Sequence, residues 1–149
     1  MDILEELLAT ARSLDEARVP YALAGGWALA VHGAPRATTD IDVLVLAEDV
    51  ERALAAVRPL GFRHRALPMT FPDGMRLQRV SKISGAELLT LDLMVVGPEL
   101  AEAFASRARF RALGAELSVV SREALVQMKL WAGRPQDLAD VARLQGDDR

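Results

Sequence analysis

Two aspartates alternate with aliphatic residues in segment 38–45, which reads Thr-Thr-Asp-Ile-Asp-Val-Leu-Val. Because successive side chains of a β-strand point to opposite faces, Asp40 and Asp42 share one face while Ile41 and Val43 point into the core. Two adjacent carboxylates repel each other, and Mg²⁺, which prefers oxygen ligands, is a natural compensation. The segment therefore predicts either a cation site or a solvent-facing aspartate pair at the start of a strand.

A third carboxylate lies inside an almost wholly apolar strand. Segment 88–96 reads Leu-Leu-Thr-Leu-Asp-Leu-Met-Val-Val, and alternation places Thr90, Asp92 and Met94 on one face. A lone carboxylate is costly to bury, so Asp92 needs a partner. Near the first pair it would complete a two-metal cluster. The alternative is a structural aspartate that accepts backbone hydrogen bonds or pairs with an arginine.

A glycine pair, Gly25-Gly26, separates a predicted strand at Tyr21–Ala24 from a predicted helix over 27–32. Glycines let a phosphate approach the backbone closely, and the start of a helix offers free N–H groups to an anion. The same pair is also common as a plain turn.

Two basic residues are candidate phosphate ligands. Arg36, in the loop before the aspartate pair, either clamps a phosphate or pairs with a carboxylate. Lys129 interrupts an apolar helix, which suits either a phosphate contact or an aliphatic stem packed along the surface. Asp137 and Asp140 follow at helical spacing near the start of the last helix, where either could interact with the N-terminal dipole, and we expect that role for Asp140.

Further basic residues are spread along the chain. They line a groove for a polyanionic acceptor such as RNA or, alternatively, form an ordinary solvated surface. The set consists of Arg63, His64, Arg65, Arg76, Arg79, Lys82, Arg107, Arg109 and Arg111.

Hydrophobic periodicity predicts a mixed α/β (α+β) chain in which helices precede and follow a small sheet. Strands are predicted at 21–24, 41–46, 87–96 and 117–120, with one or two more within 62–80. Helices are predicted at 3–17, 27–32, 47–57, 98–105, 121–131 and 135–144.

Composition narrows the function classes. The chain has no cysteine, which excludes disulfides and thiolate metal sites, and its two histidines argue against a histidine-based zinc site. The net charge of −3 argues against a strong polyanion binder. The N-terminus is acidic, unlike a signal peptide, and no apolar run approaches the roughly 18 residues of a membrane helix. We therefore expect a soluble cytoplasmic protein with no membrane association.

In combination these motifs resemble the nucleotidyltransferase superfamily, which includes DNA polymerase beta and the kanamycin nucleotidyltransferases. The likeness is closer to the nucleotidyltransferase toxins of type IV toxin–antitoxin systems and their uncharacterised relatives, and it covers residues 21–144. Those proteins have a Gly-Gly-x-Ala start, an Arg-x-Thr-x-Asp-Ile-Asp core and a late Lys-x4-Arg-x2-Asp segment. The matching positions here are Gly25 to Ala28, Arg36 to Asp42, and Lys129, Arg134 and Asp137.

The resemblance implies one nucleotidyltransferase-like domain over residues 1–149, with a small mixed sheet flanked by helices. Asp40, Asp42 and Asp92 would be the catalytic residues and the ligands of two Mg²⁺ ions, with Asp92 also a candidate general base. The implied nucleotide-binding residues are Gly25, Gly26, Arg36, Thr38 and Lys129. The common Gly-Ser of the superfamily is Gly25-Gly26 here, which removes one hydroxyl that can reach a phosphate.

The implied activity is transfer of a nucleoside monophosphate from a nucleoside triphosphate (NTP) to a hydroxyl on RNA or tRNA, a protein or a small molecule. The chain ends soon after the last predicted helix, so we expect no accessory domain. An antitoxin, a second copy or the arginine-bearing segment would then complete the acceptor site. The alternative function is a non-catalytic nucleotide-binding or interaction module on the same fold.

Overall fold

The computed structural model describes residues 1–146 and contains one mixed sheet of eight strands flanked by helices. The predicted fold class is therefore confirmed. The strands are β1 (Tyr21–Ala24), β2 (Asp40–Leu46), β3 (Phe62–Arg65), β4 (Met69–Thr70), β5 (Arg76–Ser84), β6 (Glu87–Val96), β7 (Ala108–Ala112) and β8 (Ala115–Val119). Their order in the sheet is β3-β5-β6-β2-β1-β8-β7, and β4 pairs with β5.

The described residues form six α-helices, which pack on the sheet or on one another. In the first of them, Leu7, Ala11 and Leu14 recur at helical spacing and are buried, and the Asp2 side chain accepts a hydrogen bond from the Glu5 N–H at its start. Within residues 1–146, no helix combines the length and the apolar character needed to cross a bilayer. The helices are α1 (Ile3–Glu16), α2 (Gly25–Val31), α3 (Val50–Val57), α4 (Ala101–Ala105), α5 (Arg122–Ala132) and α6 (Pro135–Leu144).

The central strands of the sheet place the site. Strand β2 pairs with β1 in antiparallel and with β6 in parallel orientation. Ile41 on β2 faces the core beside Leu91 and Leu93 of β6, and all three are fully buried. If either strand slipped by one residue, its own carboxylate side chains would point into this core. The alternation of apolar residues therefore fixes the register of the two strands.

The structure differs from the sequence prediction mainly at the β7–β8 hairpin, whose first strand and turn were not predicted. Leu113 and Gly114 join β7 to β8, with φ values of +56° and +84°. Positive φ at both central residues is the backbone of a type I′ turn, which normally selects asparagine or glycine rather than leucine. The usual turn signal is therefore missing. Two predicted helices also begin as tight 3₁₀ turns, at Ala47–Asp49 and Pro98–Leu100, which is common at helix starts.

Candidate active site

Two predicted site residues, Asp42 and Asp92, face each other across the β2–β6 pair. The parallel register pairs Asp42 with Asp92 and Asp40 with Thr90, so all four side chains lie on one face of the sheet. Neighbouring strands are about 4.8 Å apart, so the two carboxylates are immediate neighbours. Alternation places each carboxylate on a face of its own strand, and the order and register of the strands bring Asp42 and Asp92 together.

Asp92 is held by an arginine from the next strand. The antiparallel β5–β6 register places Arg79 opposite Asp92, and the guanidinium donates two hydrogen bonds to the carboxylate, from Nε at 2.8 Å and from Nη2 at 3.1 Å. Asp92 is 6% exposed, so this bidentate pair stabilises a largely desolvated charge. The structural alternative for Asp92, an arginine partner, is therefore present.

Sequence reasoning missed this role of Arg79, although a signal existed. Gly85 and Ala86 connect β5 to β6, and the hairpin pairs Ser84 with Glu87. Counting back from that turn brings Arg79 to Asp92. Unless that turn is identified, the sequence gives no reason to pair Arg79 with Asp92 and not with the other acidic residues.

Asp40 and Asp42 have no such partner. In the part of the chain that the structure describes, no donor forms a hydrogen bond to either carboxylate. Burial raises the pKa of Asp42 to about 6, and the charges of Asp92 and Asp40 add to that increase, while Lys129 and Arg79 oppose it. This end of the cavity therefore carries negative charge that nearby cations offset only in part.

Gly25 and Gly26 lie directly against the site. Gly25 has φ +61°, and a Cβ at this position would overlap Oδ2 of Asp42. A Cβ on Gly26 would come within 2.7 Å of Oγ1 of Thr38. Thr38 in turn donates a hydrogen bond to the Asp40 carbonyl at 3.3 Å. Only glycine fits at either position, so the pair sets the width of the cavity beside Asp42.

Arg36 and Lys129 converge on Asp140, a residue only 2% exposed. Arg36 Nε lies 3.1 Å and Lys129 Nζ 2.8 Å from its carboxylate, and Lys129 also lies 3.5 Å from Asp137. Burial acts to raise the pKa of Asp140, but the hydrogen bonds from Lys129 and Arg36 hold it below its ordinary value. Both basic residues therefore have a structural ion-pair role.

The dipole role predicted for Asp140 is wrong. Asp140 is the sixth residue of α6, beyond the first turn in which the helix dipole acts. Asp137 does lie in that turn, where it accepts hydrogen bonds from the backbone N–H and the guanidinium of Arg134.

All the site residues singled out from the sequence line one cavity of about 470 Å³. As the side chains stand, no group of three or more acidic or histidine residues among residues 1–146 is arranged to hold a metal ion. The metal and nucleotide roles of these residues stay predictions. The predicted residues lining the cavity are Gly25, Gly26, Arg36, Thr38, Asp40, Asp42, Asp92 and Lys129.

The basic residues proposed for a polyanion groove do not form one. Strand β3, which carries Arg63 and Arg65, and strand β7, which carries Arg109 and Arg111, are the opposite edges of the sheet. Several of the charges are also paired: Arg65 with Glu51, Lys82 with Glu6, and Arg109 with Asp15. The structure supports the solvated-surface alternative.

No family model and no curated protein matches the chain, but solved structures do. The antibiotic-resistance factor ANT(2'')-Ia, solved in complex with adenylyl-2''-tobramycin, is 23% identical with a TM-score of 0.65 over 95% of this chain and 86% of its own. The lincosamide antibiotic adenylyltransferase LnuA, solved with lincomycin, is 13% identical with a TM-score of 0.65 over 96% of both chains.

A Thermotoga maritima protein, provisionally assigned as a nucleotidyltransferase, superimposes with a TM-score of 0.69 at 16% identity, over 99% of this chain and 94% of its own. Likeness at such low identity establishes an architecture and leaves the reaction to the residues of the site. The chain has the nucleotidyltransferase fold.

Proposed function

We propose that the protein is a Mg²⁺-dependent nucleotidyltransferase that moves a nucleoside monophosphate from an NTP to a hydroxyl acceptor. One observation carries the proposal. Asp40 and Asp42 share a cavity with Asp92, and across residues 1–146 neither receives a hydrogen bond that would satisfy its charge. A divalent cation and its phosphate ligands would satisfy both carboxylates at once.

The donor set fits Mg²⁺. This ion is usually held by one or two carboxylates together with substrate phosphates, which is what Asp40 and Asp42 offer. Asp92 becomes a further ligand only when Arg79 releases it. When bound, Mg²⁺ neutralises charge on the phosphates and stabilises the departing pyrophosphate. Two ions are proposed because three carboxylates contribute to the cavity.

The transfer itself uses the chain's residues in distinct roles. The acceptor hydroxyl oxygen forms a bond to the α-phosphorus, the bond from that phosphorus to the bridging oxygen breaks, and pyrophosphate leaves. Asp92 takes the proton of the hydroxyl as general base. This step requires Arg79 to leave Asp92, and the 42% exposure of the Arg79 side chain gives it room to move.

The remaining cavity residues bind the triphosphate. The missing side chains of Gly25 and Gly26 let phosphate oxygens approach the backbone near Asp42 and Thr38. Lys129 and Arg36 are anchored by Asp140, so they contribute fixed positive charge at the cavity wall. Their ion pairs hold them in position before the nucleotide arrives.

A small-molecule acceptor has the strongest support. Two proteins of the same fold were solved with adenylylated tobramycin and with lincomycin. An RNA acceptor has less support because the basic residues of β3 and those of β7 lie at opposite edges of the sheet. A toxin–antitoxin role and a cytoplasmic location rest on the sequence alone.

A non-catalytic nucleotide-binding module is the second candidate, and the Arg79–Asp92 pair is the observation that favours it. A carboxylate that stays bound to arginine cannot take a proton or bind a metal. The two functions differ in whether Arg79 releases Asp92 when Mg²⁺ and nucleotide bind.

Radiolabel transfer tests the proposal. The protein is incubated with Mg²⁺ and each NTP labelled in its α-phosphate, together with a small-molecule extract or with total RNA. We expect Mg²⁺-dependent labelling of a small molecule that Asp42→Asn abolishes. If the protein binds NTP but no fraction becomes labelled, the transferase proposal is rejected and the non-catalytic nucleotide-binding module remains.

A further inference from the structure

A second cavity, of about 260 Å³, adjoins the polar one. The two cavities share six residues, of which five are charged: Gly25, Asp42, Arg79, Asp92, Lys129 and Arg134. Beyond these residues their linings differ. The polar cavity continues to Asp40, Thr38 and Gly26. The second cavity continues to Asp137 and to a group of apolar side chains: Phe71, Met75, Leu77, Met94, Leu125, Met128 and Ala132.

Strand register sets the direction from one cavity to the other. Asp40 precedes Asp42 by two residues on β2, and Met94 follows Asp92 by two residues on the parallel strand β6. On β5 the partner of Met94 is Leu77, two residues from Arg79. Residues two apart on a strand share a face and lie about 6.6 Å apart. The polar and apolar cavities therefore lie on opposite sides of the Asp42–Asp92 pair along the strands.

This arrangement matches the needs of a phosphoryl-type transfer. The attacking and leaving oxygens stand roughly in line on opposite sides of the phosphorus. A pyrophosphate that leaves toward the glycine pair and Thr38 requires attack from the side of Met94. Asp92 lines both cavities, so it can reach a hydroxyl that enters from the apolar side.

We infer that the apolar cavity is the acceptor site, and that the acceptor is an uncharged small molecule carrying its hydroxyl next to an apolar group. This inference rests on the proposed function, because it assigns the second substrate of the same reaction.

The lining of the cavity specifies the chemistry of the acceptor. Three of the five methionines in the chain line it, and methionine adapts to irregular apolar shapes. The charged side chains that line the cavity balance one another, three carboxylates against three basic groups, so neither a polycation nor a nucleic-acid strand meets a net opposite charge there. The volume lies below the roughly 300–1,000 Å³ of pockets that enclose drug-sized ligands, so it accepts one apolar part of a molecule.

A homologous series of alcohols tests the inference. Methyl, butyl and hexyl β-D-glucoside carry the same hydroxyls and differ only in the length of an apolar tail. Their binding to the full chain is measured by ligand-observed NMR titration. We expect affinity to rise along the series, by up to about fourfold for each methylene buried. Equal affinity for the three glucosides would overturn the inference.

Paired substitutions locate the binding. Met94→Gln and Met128→Gln keep side-chain length but add a polar amide, and they should flatten the dependence on tail length. Met69→Gln, on a half-buried methionine outside the cavity, is the matched control and should leave the dependence intact. Loss of the dependence in the control and not in the cavity variants would contradict the assignment.

Nucleotide competition separates an acceptor from a nucleobase. Each α,β-methylene NTP is added with Mg²⁺ to protein holding hexyl glucoside. Simultaneous binding supports the inference, whereas displacement of the glucoside assigns the cavity to the nucleobase and overturns it. If no nucleotide binds, the proposed function fails, and with it the assignment of the cavity to an acceptor. If nucleotide binds but affinity does not depend on tail length, only the acceptor assignment fails. The nucleotide titration and the tail-length series therefore distinguish the two failures.

Discussion

Asp42 of β2 and Asp92 of β6 are register partners on adjacent parallel strands, so two carboxylates lie side by side in a partly buried cavity. Arg79 compensates the charge of Asp92, and Asp42 has no equivalent partner within residues 1–146. Burial and the neighbouring charges raise the pKa of Asp42 to about 6 from 3.8. In the absence of ligand, the uncompensated charge of Asp42 therefore lowers the free energy of unfolding of the protein.

The first prediction concerns pH and stability without metal. A raised folded-state pKa means that the stability contributed by Asp42 is full below about pH 4 and is lost as the pH rises through about 6. An asparagine side chain does not titrate. The free energy of unfolding of Asp42→Asn should therefore rise relative to that of wild type over this interval, by about 3 kcal/mol in total. Urea unfolding in EDTA across this range measures the gap, with Glu16→Gln, on the exposed side of α1, as control. A gap that does not change with pH would contradict the buried, coupled state of Asp42.

The second prediction concerns ligand linkage. If Mg²⁺ and NTP relieve the repulsion among the carboxylates, they bind the folded state and raise the melting temperature. At a ligand concentration one hundred times Kd the gain is about 2.7 kcal/mol, or roughly 5–11 °C for a chain of this length. Asp42→Asn should lose most of this response. Differential scanning fluorimetry with each NTP measures it, and a flat wild-type response at millimolar ligand would remove the support for nucleotide binding.

The third prediction concerns Arg79 as a competitor of the metal. Arg79→Gln frees the Asp92 carboxylate and removes a positive charge from the site. One unit charge at a few ångströms contributes about 1–4 kcal/mol near a protein surface, so Mn²⁺ affinity without nucleotide should rise by about tenfold. Electron paramagnetic resonance of free Mn²⁺ measures this. Arg76→Gln, on the same strand and outside both cavities, should leave affinity unchanged, and weaker Mn²⁺ binding by Arg79→Gln would rule out competition.

The fourth prediction uses two glycines with the same backbone angle. Gly25 and Gly85 both have φ +61°, but a Cβ on Gly25 would overlap Asp42, whereas a Cβ on Gly85 meets nothing within 4 Å. Gly85→Ala should therefore cost about 1–2 kcal/mol for its left-handed backbone alone. Gly25→Ala should cost more and should also weaken Mg²⁺-dependent nucleotide binding. Equal losses of stability with intact nucleotide binding in both variants would show that the glycine pair is only a turn.

The fifth prediction separates the enzyme from the binding module. Asp92→Asn keeps the shape of the side chain but removes the proton acceptor, so the transfer rate should fall by about 10²–10⁴-fold. Nucleotide affinity should change much less, because under the proposal the glycine pair, and Asp40 and Asp42 through Mg²⁺, would still hold the triphosphate. Rate and affinity are measured by single-turnover labelling and by nucleotide titration. An Asp92→Asn variant with the wild-type transfer rate would exclude Asp92 as the base.

Much of the fold follows from local patterns. The alternation around Asp40 and Asp42, the apolar strand around Asp92 and the break between the predicted helices 121–131 and 135–144 appear in the structure close to their predicted bounds. These features depend on residues a few positions apart, which is the range that periodicity reports. The Leu113–Gly114 hairpin does not follow from local pattern because leucine occupies the first turn position, where asparagine or glycine is usual. The Arg79–Asp92 pair depends on the turn at Gly85 in the same way.

Side-chain alternation is a property of one strand, so local sequence is enough to place Asp40 and Asp42 on the same face. The partners of the carboxylates depend on how distant segments pack. Strand order made Asp42 and Asp92 neighbours, and packing joined Arg36 to Asp140 across 104 positions of the chain. It also placed the basic residues of β3 and those of β7 at opposite sheet edges and gathered three methionines beside the Asp42–Asp92 pair. A long charged side chain pairs with whichever opposite charge the fold brings within reach. The periodicity of the sequence reports only neighbours along one element, so it does not predict these pairs.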